Sequence, residues 1–508
     1  MAASTSETCS RRSIGVALAL MLTRCGHGAQ QPPGSGVPQD AAPAESAPSG
    51  HVSPPDAAEP DTAAVASSDA TLARPADLDA WSPDVAPIGD GADGFEAPEA
   101  PETSDALDGD VASEADGDGT SAEAGVGAGA DAGASDLCST RGCPSNWWTF
   151  GYDSSHSGYN PAELGVPPMT GQWATTIASP AALSPACAEE GRAFVTYGAA
   201  GSASKMVAIG LSDGSVLWTH DFGAVSSVGH PTVVRGTVYV QTNKGLGANA
   251  TSNLWALDAT SGDVRWAAPF DSQFDNFWAP TVGGSAVYID GGRYGGLYGF
   301  RVADGTQMFF YGGLYQADSW TPGFHAGVLY SYVQGAFVAH DPASGSLLWN
   351  NTIRGTFAPY STNAAAAFDK QAAYVIAPPQ LAEIDLVTQD VTWITSAAYD
   401  GTPAIADGVV YAIGGGELLA VDAATGSSSF SFAGDKKLKY PPVVANGFVY
   451  ASSAGNAYAV NLATQAQAWS AAPGGWLSIA SGRLIVAGAD GILRGFALSS
   501  GLAPPGDP

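Results

Sequence analysis

Catalysis requires nucleophiles, acids or metal ligands that converge, and few stretches of this chain offer a candidate set. Gly210-Leu211-Ser212-Asp213-Gly214 has the Gly-x-Ser-x-Gly spacing of a nucleophile elbow. An elbow needs a strand-to-helix turn to present its serine. This one sits between two strand-like segments, so it reads as an ordinary turn. Asp108-Gly109-Asp110 and Asp116-Gly117-Asp118-Gly119 suggest calcium loops. They lack the spaced third ligand and distal Glu of such a loop and read as low complexity. The five cysteines form no paired Cys-x-x-Cys zinc pattern, and no metal site is expected. Cys138 and Cys143 stand close enough to pair with each other, leaving Cys187 over; a small local disulfide suits an exported chain. His156 has no second His or Cys nearby in sequence, so a hydrogen-bonded packing role is expected.

The remaining candidates are aromatic. Trp278, Trp320, Tyr440 and Trp476 each stand just before a short strand-like segment, with His230, Asp275, Asp318, Asp400 and Lys439 close by. Aromatic faces with a few charges suit a flat or sugar-like ligand. The competing expectation is that these rings merely plug a channel.

What would position them is a repeat, seen most clearly in Leu254-Trp255-Ala256-Leu257-Asp258-Ala259-Thr260-Ser261-Gly262-Asp263-Val264-Arg265-Trp266. The frame is a small residue, then Asp two later, a turn Gly four after that, and an aromatic four further on. It returns about every forty residues, a period that marks a ring of four-stranded blades. The small residues are Ala208, Ala256, Gly299, Ala339, Ala420, Ala459 and Gly495, with Glu383 as the exception. The aromatics are Trp218, Trp266, Phe309, Trp349, Trp393, Phe430 and Trp469. Five inner strands follow a Pro and are expected to end in Gly-x-Val-Tyr or a close variant, as in Gly236-Thr237-Val238-Tyr239; three weaker copies make eight. The eighth turn lacks its aromatic, and Trp173 stands alone at the opposite end of the region. A closed ring leaves no unpaired inner edges, so the segment around Trp173 is expected to complete the blade formed by residues 476–500. The expected fold is all-β: an eight-bladed β-propeller over residues 171–501, with 138–170 as a lead-in or cap and 502–508 as a tail.

This frame resembles the tryptophan-docking motif of the pyrroloquinoline quinone (PQQ) propellers, Ala-x-Asp-x-x-x-Gly-x-x-x-Trp, and the resemblance covers residues 171–501. Trp147 to Asn160 is similar to the lead-in found ahead of such propellers. The resemblance implies that Trp173, Trp218, Trp266, Trp349, Trp393 and Trp469 dock between blades. It also implies one of two functions. The dehydrogenases of the family bind PQQ and Ca²⁺ over the ring's centre and oxidise alcohols or sugars. The outer-membrane assembly lipoproteins use the same short blades as a scaffold, without a cofactor. This chain lacks the adjacent Cys-Cys pair, the long insertions and the haem Cys-x-x-Cys-His of the enzymes. A non-catalytic platform for an envelope protein or a saccharide-like ligand is therefore expected, with no cofactor, and a PQQ-dependent dehydrogenase is the alternative.

The rest of the chain concerns placement. Residues 1–25 read as an export signal: Arg11-Arg12, the apolar run Ile14 to Leu22, then Thr23-Arg24-Cys25. Leu22-Thr23-Arg24-Cys25 resembles a bacterial lipobox, which implies lipidation of Cys25, although Arg24 departs from the small residue that motif prefers. Residues 26–137 carry 23 Asp and Glu against the single Arg74 and almost no aromatics. Such a segment cannot offset its ordering entropy by burial and is expected to be a disordered tether. With a net charge of −30, binding to nucleic acid or to anionic lipid surfaces is not expected. The expected protein is a monomer exported to the periplasm, the outer membrane or the surface of a bacterium.

Overall fold

Alternating apolar and polar residues make strands, and the recurrent Gly and Asp make the turns that fold each strand back on the last. The computed structural model describes residues 145–178, 181–198, 203–243, 251–272, 278–314, 320–353, 365–377 and 379–500. Their strands form eight antiparallel sheets. Seven blades are built from consecutive strands, beginning at Cys187, Ser227, Thr281, Gly323, Ala367, Asp400 and Tyr440. The eighth takes its three inner strands from Trp476–Ala480, Arg483–Ala487 and Ile492–Ala497, and its outermost strand from Gln172–Thr176. Trp173 pairs with Gly495, so the ring closes as the missing aromatic required.

The innermost strands are short because a two-residue turn follows almost at once. In the second blade Thr232–Val234 gives way to Arg235 (φ 52°) and Gly236 (φ 71°), after which Thr237–Asn243 begins. Gly-x-Val-Tyr therefore opens the second strand of each blade; the sequence-based expectation that it closes the first is corrected. Consecutive positive-φ positions are what a tight hairpin with strand-matched twist demands, and Gly adopts one at no steric cost.

The repeat motif joins neighbouring blades. Asp258 Oδ1 accepts the amides of Thr260 (2.8 Å) and Ser261 (2.9 Å), tightening the turn that ends at Gly262 (φ 78°). A Cβ on Gly262 would meet the Trp218 ring of the preceding blade at 2.7 Å, so the glycine is needed for close approach as well as for φ. Trp218 lies across Ala208 of its own blade and against Gly262 of the next, and Trp173 and Trp266 repeat this with Gly495 and Gly214, and Ala256 and Gly305; Trp393 lies on Gly426 but opposite Glu383. The small residue thus belongs to the same blade as the Trp, not the adjacent one. The indole N–H then donates across the seam: Trp173 to Leu211 O (3.0 Å), Trp218 to Ala259 O (3.1 Å), Trp266 to Val302 O (3.0 Å) and Trp393 to Ala423 O (2.9 Å). Trp469 packs across its seam against Phe496, and Trp349 packs on Phe337 of its own blade within a cluster that includes Phe368 and Ala373 of the next. Gly210–Gly214 is the corresponding turn of the first blade, closed by Gly214 N–H to Gly210 O at 2.8 Å, with no helix following. Among the described residues no helix is long and apolar enough to cross a membrane.

Candidate functional site

The middle of the ring is built by the lead-in. Residues 145–160 bond in turn to the innermost strands around the ring's centre. Trp147 exchanges two backbone hydrogen bonds with Ala188 of the first blade (2.8 and 2.6 Å). The carbonyls of Trp148, Ser154, Ser155, Ser157, Gly158 and Ser145 accept the amides of Val233, Phe324, Phe368, Ile405, Val444 and Ser481, in blades two, four, five, six, seven and eight. Blade three is reached through side chains: Thr149 and Thr232 hydroxyls lie 2.7 Å apart, and Thr232 Oγ1 donates to Pro280 O at 2.6 Å. Inner-strand amides buried in a channel need partners, and this one segment supplies them to most of the ring.

His156 sits at the bend and is fully buried. Its Nδ1 lies 2.7 Å from Phe150 O and its Nε2 2.8 Å from Pro322 O. Burial pushes its pKa down, while the two carbonyls and nearby Asp153 pull it back up. Its surroundings are those of a structural histidine, as its isolation in sequence implied.

Of the aromatic set, the structure gathers Trp278, Tyr440, Trp476 and His230, and adds Phe150. The Phe150 ring stacks on Trp278 with centroids 4.4 Å apart at 27°. It also meets Trp476 edge-on at 6.2 Å and His230 at 6.3 Å. Tyr440 contacts Trp476 at 4.9 Å, and Lys439 Nζ lies 4.9 Å over the Tyr440 ring. Trp320 is drawn away into the seam between the third and fourth blades, among Tyr288, Phe309 and Phe324. Asp400 starts the inner strand of the sixth blade and is exposed. Asp275 and Asp318 lie outside the described residues, as do Cys25, Cys138 and Cys143. Cys187 is buried as a free thiol.

Two buried residues that the sequence did not single out pair between the second and third blades. Gln241 is fully buried; its Nε2 donates to Asp290 O (3.0 Å) and Oδ1 (3.2 Å), while its Oε1 takes no partner. Burial pushes the Asp290 carboxyl up to about 8, so it holds its proton at neutral pH. Burial also pushes His230 down to about 3, leaving a neutral imidazole whose Nδ1 is unpartnered. Both residues lie two positions beyond the Tyr of the second strand (Tyr239 and Tyr288). An amide and a carboxylate at a position that elsewhere carries Thr196, Tyr332, Ile376, Ile413, Ser452 or Ala487 were the one available signal. Among the described residues, no three His, Cys, Asp or Glu side chains converge to hold a metal.

With this geometry, a family model described as outer membrane protein assembly factor BamB matches residues 170–311 and 314–502. The chain belongs to the BamB family of propellers. No curated protein sequence matches it. Among solved structures, BamB from Moraxella catarrhalis superposes with a TM-score of 0.52 at 16% identity, over 65% of this chain and 100% of that one. The quinohemoprotein alcohol dehydrogenase ADHIIG from Pseudomonas putida HK5 gives 0.54 at 13% identity, over 72% and 81%. The computationally designed Ika8 protein gives 0.52 at 14%, over 66% and 99%. An assembly factor, an oxidoreductase and a designed ring share this likeness, so it speaks for the fold alone.

Proposed function

We propose that this protein is an exported, non-catalytic binding propeller of the bacterial envelope, presenting its ring surface to an envelope protein or a saccharide-like ligand. The observation that carries the reading is the occupied channel. A flat cofactor bound over the ring's centre needs an open aromatic face, and a cation beside it needs ionised carboxylates. Here the Trp278 face is covered by the chain's own Phe150, and among the described residues no three His, Cys, Asp or Glu side chains converge to hold a cation. The described residues thus do not fit calcium-bound PQQ, and no oxidation step is assigned to them. The short blades and the family's description as an outer-membrane assembly factor support the same reading. On it, the acidic segment 26–137 tethers the ring to an anchor, which lipidation of Cys25 would provide.

Affinity capture of the full chain from the envelope of its native host, with crosslinking and mass spectrometry, tests the proposal. A reproducible stoichiometric partner is expected. If PQQ and Ca²⁺ instead bind to give a quinone absorbance band and turnover of an alcohol, the dehydrogenase alternative replaces it.

A further inference from the structure

Three lysines of the ring, Lys436, Lys437 and Lys439, stand together on the loop that leads into the innermost strand of the seventh blade. Backbone bonds fix this loop: Lys436 N–H donates to Ala433 O (2.8 Å), Leu438 N–H to Gly416 O (3.0 Å) and Lys439 N–H to Ser452 O (3.0 Å). Lys436 lies 3.9 Å from the Glu417 carboxylate, while Lys437 and Lys439 form no ion pair with any described residue. The carboxylate nearest in sequence, Asp435, accepts Ser453 Oγ (2.6 Å), the Lys437 amide (3.0 Å) and Asn456 Nδ2 (3.4 Å). From Lys439 a row of rings crosses the mouth. Its Nζ meets Tyr440, Tyr440 meets Trp476, and Trp476 leads to His230 at 6.0 Å and on to Trp278 at 5.7 Å.

The polar groups along this row lack partners. Among the described residues, the indole N–H groups of Trp278 and Trp476, the Tyr440 hydroxyl and both ring nitrogens of His230 make no hydrogen bond, although Trp278 and Tyr440 are more than nine-tenths buried. Indole N–H and ammonium groups only donate, whereas a hydroxyl and a neutral imidazole do either. Burial keeps His230 neutral, so Lys439 supplies the formal charge of the row. A buried donor without an acceptor is costly, and a row dominated by donors favours a ligand rich in acceptors. Trp476 is half-buried, which leaves part of its ring to the face of such a ligand.

We infer that this end of the ring binds an anionic saccharide, a sugar carrying a carboxylate or a phosphate. The oxyanion meets Lys439 and the N–H and O–H donors beside it, and the C–H face of the sugar lies on Trp476. An acidic peptide would satisfy the lysines, but its charge makes no use of the indole face. Such a ligand gives the binding reading above a chemical class, and the assignment rests on that reading.

The test is calorimetry of the full chain with tetragalacturonate, with its methyl ester, which keeps the rings and loses the charge, and with glucose-6-phosphate. Tetragalacturonate is expected to bind about tenfold more tightly than the ester, the worth of one charge-assisted hydrogen bond. Lys439→Gln should weaken it about tenfold, and Trp476→Phe, which keeps a ring and removes the N–H, about threefold. Lys439 is exposed, so its variant keeps the fold even if Trp476→Phe disturbs the mouth. Either charged probe binding with this dependence on Lys439 supports the assignment, and which of them binds tells carboxylate from phosphate. Equal binding of the ester, no binding of either charged probe at about 10 mM, or indifference to Lys439→Gln would overturn it. Equal binding of tetra-aspartate would overturn the saccharide class. Should the sugars fail while envelope capture returns a stoichiometric protein partner, the assignment falls and the binding platform stands. PQQ binding with turnover of an alcohol would overturn both.

Discussion

Replacing Trp173 by Ala tests ring closure, because this residue alone carries the docking motif across the junction of the two ends of the ring. Its indole lies on Gly214 of the first blade and Gly495 of its own, and its N–H donates to Leu211 O at 3.0 Å. Thr175, two residues on, adds a hydroxyl bond to Gly214 O at 2.5 Å. Full burial of a Trp side chain removes roughly 200 Å² from water, worth about 5 kcal/mol at 25 cal/mol/Å². Trp173 is half-buried, which leaves about 2–3 kcal/mol, and the lost hydrogen bond adds about 1. A loss of about 3–4 kcal/mol in a ring of this length lowers Tm by about 5 °C. Trp393→Ala is the control: the same chemistry and an equivalent bond to Ala423 O, but on a strand joined to its blade by a direct turn. Both variants should lose similar equilibrium stability in urea. Only Trp173→Ala should also free the Gln172–Thr176 strand, seen as faster amide exchange there and in its partner strand Ile492–Ala497. Equal exchange in the two variants, or an unchanged Tm in Trp173→Ala, would refute closure through this strand.

Phe150→Ala should cost about 3–4 kcal/mol, within the usual range for deleting a buried Phe, and should raise acrylamide quenching of tryptophan fluorescence as the Trp278 face opens. Asp290→Asn should be stabilising at pH 8 and nearly neutral at pH 4. A carboxyl whose folded pKa is raised to about 8 binds more protons folded than unfolded between about 4 and 8. Stability therefore falls as pH rises through that window, and urea titrations of both proteins from pH 4 to 8 should diverge steadily. Asp258→Ala should cost about 1 kcal/mol by releasing two turn amides and the 2.8 Å ion pair to Arg265, whereas Asp258→Asn should keep the amide bonds and lose little. Mass spectrometry of the mature N-terminus should show cleavage before a lipidated Cys25; an unmodified terminus beyond that residue would exclude the anchor.

How much was legible depended on how local the forces are. The docked Trp set, the turn Gly and Asp and the orphan Trp173 each follow from a fixed spacing, so the repeat alone yields eight blades and their closure. The funnel residues were less legible. All stand at equivalent positions before a strand, yet Trp320 turned into a blade seam while Trp278 and Trp476 met at the centre. Gln241 and Asp290 pair across 49 positions and became notable only through burial. Phe150 was visible as part of a lead-in, but no periodicity places it on Trp278.

The sequence by itself therefore determined the ring, because blade formation and docking rest on short-range hydrogen bonding and a pattern repeated eight times. Only the tertiary structure decided what fills the ring's centre. The lead-in occurs once, and its carbonyls find amides in the innermost strands of most of the blades, far apart in sequence. Docking of the lead-in covers Trp278 with Phe150, and burial between the second and third blades raises the Asp290 carboxyl. Each of these properties depends on burial, which arises only when distant segments meet.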